Sequence, residues 1–435
     1  MANYGTGLDA SLMVGAESTF NVFATPTRAL PLNSDTVARS KKTITSSGLR
    51  GGTAQSQLAT QRRVSTREAK GNISVDFQNQ NMGILLNNCL GSASSANSGA
   101  AYTWTHTLAG LKGKSLTAQF GRPSADGTIN PFTYTGGKVT DWEFVLGTDT
   151  LLQLNCGMDF ADELTTANTP VISSITQTGT PGAVTYYYRI AAIVGGVEQP
   201  AGLEVSTAAS NATLSVSNYN VVTWSAVTGA TGYNVYRSTT AGAELKLAAG
   251  TNVTSPFNDQ SNTVGVGSPL NPATLTTPSY SSTMAPFSFT DVSTLTLAGS
   301  AVAAVKKISV KGMNPVKADR WYLGSAGVKA EQVTNGWRGV QGTMECEFTS
   351  LAALYAAYAA DTQLAFVFKA TSPSIIPTTT TPFSVRVDVP AIFLDGDTPN
   401  ITGPDILTMS VPFVGLYDVT NSPITVTQVT SDTTL

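Results

Sequence analysis

Hydrophobic and polar residues change their spacing at corresponding places in two segments of this chain. In the first, the alternating residues 71–77 lead into apolar positions at i, i+3, i+4 and i+7, namely Met82, Leu85, Leu86 and Cys89. In the second, residues 342–348 lead into Leu351, Leu354, Tyr355 and Tyr358. Alternation indicates a strand with one buried face, and the later spacing indicates one face of a helix. Each segment is therefore predicted to be a strand followed by a helix.

The elements after each helix also follow the same order, beginning with an apolar strand. The corresponding residues are 116–120 and 364–368, then 131–134 and 382–385, and then 149–154 and 405–411. The chain thus carries one design twice, which predicts a building block of a symmetric assembly.

The residues between the two copies are different in kind. They carry few charges and alternate with period two, so that Val184, Tyr186, Tyr188 and Ile190 share one face of a predicted strand. The predicted parts of the chain are an N-terminal arm at 1–19, a first copy at 20–166, an insert at 167–278, a second copy at 279–420 and a C-terminal tail at 421–435.

Two stretches are predicted to be loops. Residues 91–101, rich in Ser, Ala, Gly and Asn, interrupt the first copy and have no counterpart in the second. Residues 313–336 form a long predicted loop in the second copy. The copies are therefore not expected to be interchangeable.

The composition is that of an all-β protein with many turns. Of 435 residues only 12% are charged, and there are 39 Gly and 21 Pro. The length exceeds that of a single typical core, so two or three domains are expected. The formal net charge is −3, so the chain has no surplus of Lys and Arg with which to bind the phosphate backbone of a nucleic acid. A stable nucleic-acid binder is therefore not expected.

The cysteines and the apolar segments indicate the cellular compartment in which the protein is made. Cys89, Cys156 and Cys346 lie far apart without a paired metal-ligand spacing, so they are predicted to be buried apolar residues. The first 20 residues show no basic region followed by an apolar core. The longest apolar run, 351–360, is about half of what a bilayer needs. We expect a soluble protein made in a reducing cytoplasm.

The sequence offers little for catalysis. His106 is the only histidine, and it alternates with Trp104 and Tyr102, which favours a structural role. A nucleophile elbow of the form G-x-S-x-G does not occur. Asp395-Gly-Asp397 lies between predicted strands, where Asp and Gly are ordinary turn residues. We therefore predict no enzyme activity, no catalytic residue, and no cofactor or metal site.

The insert resembles a fibronectin type III or related immunoglobulin-like domain. The likeness is carried by Val222-Thr-Trp224-Ser-Ala-Val-Thr-Gly-Ala-Thr-Gly-Tyr233-Asn-Val-Tyr236-Arg237, with residues 186–190 and 257–259. It implies a β-sandwich in which Trp224 is the core tryptophan, and the lack of an intersheet cysteine pair favours the fibronectin variety. Its function does not follow from its fold.

Both copies resemble the tail tube proteins of long-tailed bacteriophages. In the first copy the likeness is carried by Phe132-Thr-Tyr-Thr-Gly-Gly-Lys-Val-Thr-Asp-Trp142-Glu-Phe144, by residues 151–157 and by Asp162-Glu163. In the second it is carried by Gly342-Thr-Met-Glu-Cys-Glu-Phe348 and by residues 305–312, 320–327 and 411–418. The resemblance spans nearly all of the chain outside the insert and the ends.

The resemblance implies an all-β fold with one helix per repeat. It comprises two tandem tail-tube-like β-barrel or sandwich domains plus the inserted fibronectin III or immunoglobulin-like sandwich. Such subunits form rings that stack head to tail into a hollow tube through which the genome leaves the head. The insert is expected on the outer surface, where it would crowd a contractile sheath, so a noncontractile tail of siphovirus type is favoured.

The resemblance also implies where the protein is located and which molecules it contacts. The place is the virion tail, after synthesis in the host cytoplasm, with no membrane involved. The partners are further copies of the chain, the tape measure protein and DNA within the lumen, and tail terminator and baseplate proteins at the ends. A lumen that releases DNA should be neutral or negative, because attraction to phosphates opposes release. Which acidic residues face it does not follow from the sequence.

The duplication bears on ring symmetry. If each copy fills one wedge of a six-wedge ring, three chains close it, which gives a trimer with pseudo-sixfold symmetry. The alternative is a hexamer of whole chains, which would have twelve wedges and a wider bore or a second layer. The trimer is preferred.

Both copies are basic in their leading half and acidic in their trailing half. We predict that two basic loops, at roughly residues 39–63 and 313–338, reach from one ring to the acidic face of the next, making an open assembly. The candidate basic residues are Arg39, Lys41, Lys42, Arg50, Arg62, Arg63, Lys317, Arg320 and Lys329. The candidate acidic residues are Asp159, Asp162, Glu163, Asp395, Asp397 and Asp405. Alternatively, the loops are solvated hairpins whose charges only keep the chain soluble.

Two other functions compete with the tube subunit. A carbohydrate-binding or adhesin-like surface module is suggested by the insert and by the aromatic residues Tyr187, Tyr219 and Tyr236, which are predicted to be exposed. An adhesin is expected to carry a secretion signal or an anchor and several sandwiches in tandem. Another tail component, such as a terminator or a baseplate hub, is the nearer alternative, and such proteins do not form long polymers.

Overall fold

The computed structural model describes residues 5–48, 59–164, 169–194, 197–227, 229–263, 265–269, 276–302, 304–325, 327–348, 355–396 and 406–435. Within these ranges the fold is nearly all β, with several sheets and a half-barrel, as the composition predicts. Among the described residues, no helix is long and apolar enough to cross a membrane.

Eleven strands and one helix of the described chain lie before the insert. They are β1 (Ser11–Ala16), β2 (Arg28–Leu30), β3 (Leu32–Asp35), β4 (Ala38–Thr45), β5 (Arg62–Asp76), α1 (Gly83–Leu90), β6 (Gly91–Ser98), β7 (Ala101–Leu108), β8 (Leu116–Pro123), β9 (Ile129–Gly147), β10 (Gln153–Phe160) and β11 (Asp162–Leu164), with β12 (Ile172–Thr178) opening the insert. This order of elements agrees with the hydrophobic pattern of the sequence, in which alternating residues are interrupted once by a helical spacing.

The insert continues with seven more strands, and the second copy follows. The insert strands are β13 (Val184–Val194), β14 (Val197–Ala201), β15 (Val205–Ser210), β16 (Tyr219–Trp224), β17 (Ala230–Ser238), β18 (Leu245–Lys246) and β19 (Phe257–Asp259). The later elements are β20 (Val292–Leu297), β21 (Ser300–Ala301), β22 (Val305–Met313), β23 (Val316–Lys317), β24 (Val333–Thr334), β25 (Val340–Glu347), α2 (Ala356–Ala359), β26 (Leu364–Ile375), β27 (Pro382–Leu394), β28 (Thr408–Gly415) and β29 (Thr425–Thr430).

The two halves of the chain use the same order of strand pairing. In the first half the antiparallel ladders run β1–β8–β9–β10–β5–β4. In the second half they run β20–β26–β27–β28–β25–β22. The next strand of each half also pairs at an equivalent place. In the first half β11 pairs with β9, and in the second half β29 pairs with β27. The duplication inferred from the sequence therefore extends to the pairing of the backbone.

The helix predicted from Met82 to Cys89 is confirmed as α1. It is buried on nearly all sides, and Gly91 ends it with a φ of 93°. A Cβ on Gly91 would lie 2.3 Å from the Ala109 carbonyl oxygen, so this left-handed turn needs glycine. The second helix, α2, lies within the second predicted segment, whereas Leu351 and Leu354 lie outside the described residues.

Three segments predicted to lack regular structure are strands. The prediction of a loop at 91–101 is wrong, because its small residues form the hairpin of β6 and β7, which pair along their whole length. The predicted arm contains β1, whose Leu12 and Val14 are buried against the core. The predicted tail contains β29, which pairs with both β27 and β7. Partners distant in sequence stabilise these strands, so local composition is a poor guide to them.

The two halves are joined by backbone pairing and by a shared core. β22 of the second half pairs with β9 of the first, and β29 pairs with β7. One hydrophobic cluster runs through both halves and includes Phe77, Phe144, Phe366 and Phe413. The copies are thus repeats of one topology packed around common apolar side chains. The five-part division of the chain stays a prediction.

The insert has its own sheets and its own core. Its strands form the sheets β12–β16–β19 and β14–β13–β17–β18, with β15 paired to β13. Trp224 is buried and meets Tyr233 edge-on, with ring centroids 5.4 Å apart. Tyr236, predicted to be exposed, is buried, and its hydroxyl donates to Glu198 while Lys246 lies over its ring. The likeness to fibronectin type III stays a prediction.

Candidate assembly surfaces

The strongest exposed basic feature is the hairpin of β4 and β5. Arg62 and Arg63 lie towards its tip, Lys41 and Lys42 lie midway along it, and all four are exposed. Among the described residues none of the four makes an ion pair, and β4 pairs with no strand except β5. Ile44 is 56% exposed on the same strand. The hairpin therefore offers free positive charge and a free strand edge.

The base of this hairpin is neutralised within the chain. Arg39 Nε lies 2.9 Å from Asp162 Oδ1, and Arg67 Nη1 lies 3.9 Å from Asp162 Oδ2. Glu163 follows, and burial raises the pKa of its carboxyl against the opposing effect of Arg39. Arg39 and Asp162, predicted on opposite faces of successive rings, thus pair inside one subunit. Arg50 lies outside the described residues.

The second predicted basic loop folds back onto the first half of its own chain. Lys329 is 2% exposed, and its Nζ lies 2.6 Å from Asp159 Oδ1 and 3.5 Å from Glu68 Oε2. Gln332 donates to the other Asp159 oxygen at 2.7 Å. Lys329 and Asp159 are therefore internal groups, and the prediction that they meet a neighbouring ring is wrong because burial removes both from the surface.

A second buried ion pair holds the same loop. Lys138 is fully buried, and its Nζ donates to Glu331 Oε1 at 2.7 Å and to the Leu111 carbonyl oxygen at 2.5 Å. Burial lowers the pKa of Lys138, and the interaction with Glu331 opposes that effect. Local sequence patterns do not reveal this pair, because its members are 193 residues apart.

Arg338 connects the end of the loop to the end of α1. Its guanidinium donates to the carbonyl oxygens of Cys89 at 2.7 Å, Leu90 at 3.0 Å and Ala109 at 2.6 Å. These carbonyls belong to the helix C-terminus and the turn beside it, where a cation is favoured. Burial lowers the pKa of Arg338 to about 10, which leaves it charged at neutral pH.

The remaining candidates are scattered. Lys317 pairs with Asp319 at 3.2 Å on the surface, and Arg320 donates to the Glu331 backbone. Asp395 is exposed, whereas Asp397 and Asp405 lie outside the described residues. The structure therefore leaves the outer half of the β4–β5 hairpin, rather than both loops, as the main exposed basic surface.

The strands that join the two halves present a charged outer face, which we term the join face. It consists of the outward residues of β9 (Asp141, Glu143 and Val145), β22 (Lys307, Ser309 and Lys311) and β25 (Gln341, Thr343, Glu345 and Glu347), with Lys306 at the edge. The alternation of charge with apolar residues in β22 and β25 is visible in the sequence, but their position beside β9 is not.

His106 lies at the other junction between the halves. It is fully buried in β7, opposite Ala93 of β6 and Val426 of β29. Burial lowers its pKa to about 4, against a weaker opposing effect of the Ser92 backbone. The described residues contain no cluster of three or more metal-ligating side chains.

We predict that this junction weakens in acid. The unfolded chain takes up a proton on His106 below about pH 6.5, whereas the folded chain resists until about pH 4. Its contribution is therefore complete above pH 6.5 and is lost as the pH falls towards 4, by about 3 kcal/mol at most. Unfolding of unassembled wild type and His106→Met should be compared at pH 7 and 4.5. A parallel loss of stability in both proteins would contradict the assignment.

Comparison with known proteins shows the family of the chain. A family model described as phage tail tube protein matches residues 7–415. The match covers both halves and the insert between them. No curated protein sequence matches the chain.

Proposed function

The chain belongs to the phage tail tube protein family, and we propose that three copies close each ring of the tube, each half-chain filling one of six wedges. The protein is a structural subunit of the tail tube. It is located in the virion tail and assembles with itself and other tail components into a stacked tube.

One observation carries the proposed trimer. The two halves repeat the same ladder order, and the β22–β9 pairing already joins one half to the other within the chain. A chain that contains two equivalent units needs half as many copies to close a ring as a chain with one. The hexamer of whole chains, with twelve wedges, is the competing arrangement.

For the contact between rings we propose the outer half of the β4–β5 hairpin. Its four positive side chains make no ion pair within the described chain, and they would face the acidic surface of the next ring. Asp395 and the half-buried Glu163 are the remaining described candidates on the acidic side. Opposite patches of this kind steer docking and fix its direction.

The other partners follow from the same arrangement. We place the insert outside the tube, because its core is separate from the core that joins the halves. The tape measure protein and then DNA would occupy the lumen, and terminator and baseplate proteins would cover the two ends. A projecting insert favours a noncontractile tail.

Electron microscopy of assembled tubes tests this proposal. Reconstruction with threefold symmetry should resolve three outer densities per ring and distinguish the two kinds of wedge. Imposed sixfold symmetry should blur the β6–β7 hairpin, which has no counterpart among the described residues of the second half. Six outer densities per ring would establish the hexamer. Purified protein that never forms polymers would instead favour a terminator or hub.

A further inference from the structure

The join face is the exposed side of a sheet whose other side is packed in the shared core. Trp142 and Phe144 of β9, Ile308 of β22 and Met344 of β25 point into the hydrophobic cluster. Their neighbours along each strand therefore point outward, since side chains alternate between the faces of a sheet. Apart from Val145, the outward residues are polar or charged, and they cross the junction between the halves without interruption.

A basic strand lies between two acidic strands on this face. Lys307 of β22 is directly opposite Glu345 of β25, and their charged atoms are 3.5 Å apart. Lys306 Nζ lies 3.0 Å from Glu347 Oε1. On the other side, Lys311 is directly opposite Glu143 of β9. Each lysine of β22 thus has a carboxylate on a neighbouring strand.

The opposite side of the shared core carries the insert. The first part of β9 pairs with β8 and with β11, the last described strand before the insert. After the insert, the Thr276 amide donates to Gln119 of β8. Phe120 and Tyr134 from these strands fill the same cluster as Trp142. The outer faces of the two sheets therefore point away from each other, and the join face lies away from the insert.

We propose that the join face lines the lumen of the tube and that the carboxylates of β9 and β25 neutralise the lysines of β22, so that DNA passes without being held. This inference rests on the proposed function. An exposed unpaired lysine attracts DNA phosphates and releases counterions, and each such contact strengthens binding. Asp141, Glu143, Glu345 and Glu347 flank Lys306, Lys307 and Lys311, so the acidic groups are in excess on this face.

Removal of two of these carboxylates tests the proposal. Tubes assembled from Glu345→Gln/Glu347→Gln protein should bind a short labelled DNA duplex roughly tenfold more tightly than wild-type tubes at low salt, and lose the difference at high salt. The matched control is Asp388→Asn, which frees Arg386 from a 2.6 Å ion pair in the part of β27 that pairs with β26 and β29. Equal binding by wild type and the double variant, or an equal gain with Asp388→Asn, would overturn the inference.

A second measurement does not depend on removing charge. Thr343→Cys places a thiol on the join face, while the three native cysteines are buried and free. In assembled tubes a small maleimide should modify it, whereas a maleimide on a polymer wider than the bore should react only after disassembly. Equal reaction of the bulky reagent with tubes and with free subunits would place the face outside and reject the inference. Wild-type protein that forms no tubes would reject the proposed function itself.

Discussion

Reversing the charges at Lys41, Lys42, Arg62 and Arg63 to Glu is expected to stop tube growth while leaving the folded subunit intact. The four side chains are exposed and have no ion-pair partner among the described residues, so their loss should cost little in folding. Like charges placed across an interface cost several kcal/mol, which is roughly a thousandfold or more in association. Negative-stain microscopy and sedimentation of the purified variant should show short or absent tubes.

A matched control separates position from charge. Lys41→Glu/Lys42→Glu should shorten tubes, whereas Lys112→Glu/Lys114→Glu, which makes the same change of charge before β8, should not. Assembly of the wild type should also weaken as salt is raised, because exposed charges are screened. Tubes of normal length from the fourfold variant would show that the hairpin is only a solvated surface.

Replacing Lys329 by Ala is expected to destabilise the folded subunit strongly. It leaves the Asp159 carboxylate, which is 5% exposed, without its cation at 2.6 Å. Breaking a buried pair by removing one partner costs about 3–5 kcal/mol. The loop between β22 and β25 should also loosen, because Lys329 fastens it to the first half. Denaturant unfolding of the unassembled subunit measures the loss.

Two further variants give this prediction its control. Lys317→Ala removes an exposed pair in the same loop and should cost less than about 1 kcal/mol. The double variant Lys329→Met/Asp159→Leu removes both buried charges and should recover most of the stability that Lys329→Ala loses. A cost for Lys329→Ala no larger than that for Lys317→Ala would show that the buried pair does not hold the loop.

The sequence predicted what local spacing controls. The switch from period two to period 3.6 located α1, and the alternating apolar residues located β5, β8 and β25. The series of similar sequence segments in the two copies indicated the tail tube family, which the family match confirms. These features depend on neighbours in the chain, so a single sequence contains them.

The sequence did not predict what distant partners control. The residues 91–101 are mostly small and polar, and they become a hairpin because β7 is held in turn by β29. Lys329 has an ordinary loop sequence around it, and only the fold brings it to Asp159. The local sequence around a charged residue in a polar segment is the same whether its side chain is solvated or buried. The predicted surfaces therefore included residues, such as Lys329 and Asp159, that are buried.

The pairing of β29 with β7 has a consequence for biosynthesis. Val426 leaves the ribosome more than three hundred residues after His106, its partner across the ladder. Until then the edge of β7 has no neighbour on that side, and closing so long a loop makes this pairing a slow event. We expect this delay to disfavour premature polymerisation of nascent chains, since a chain still being translated lacks part of the sheet that joins its two halves.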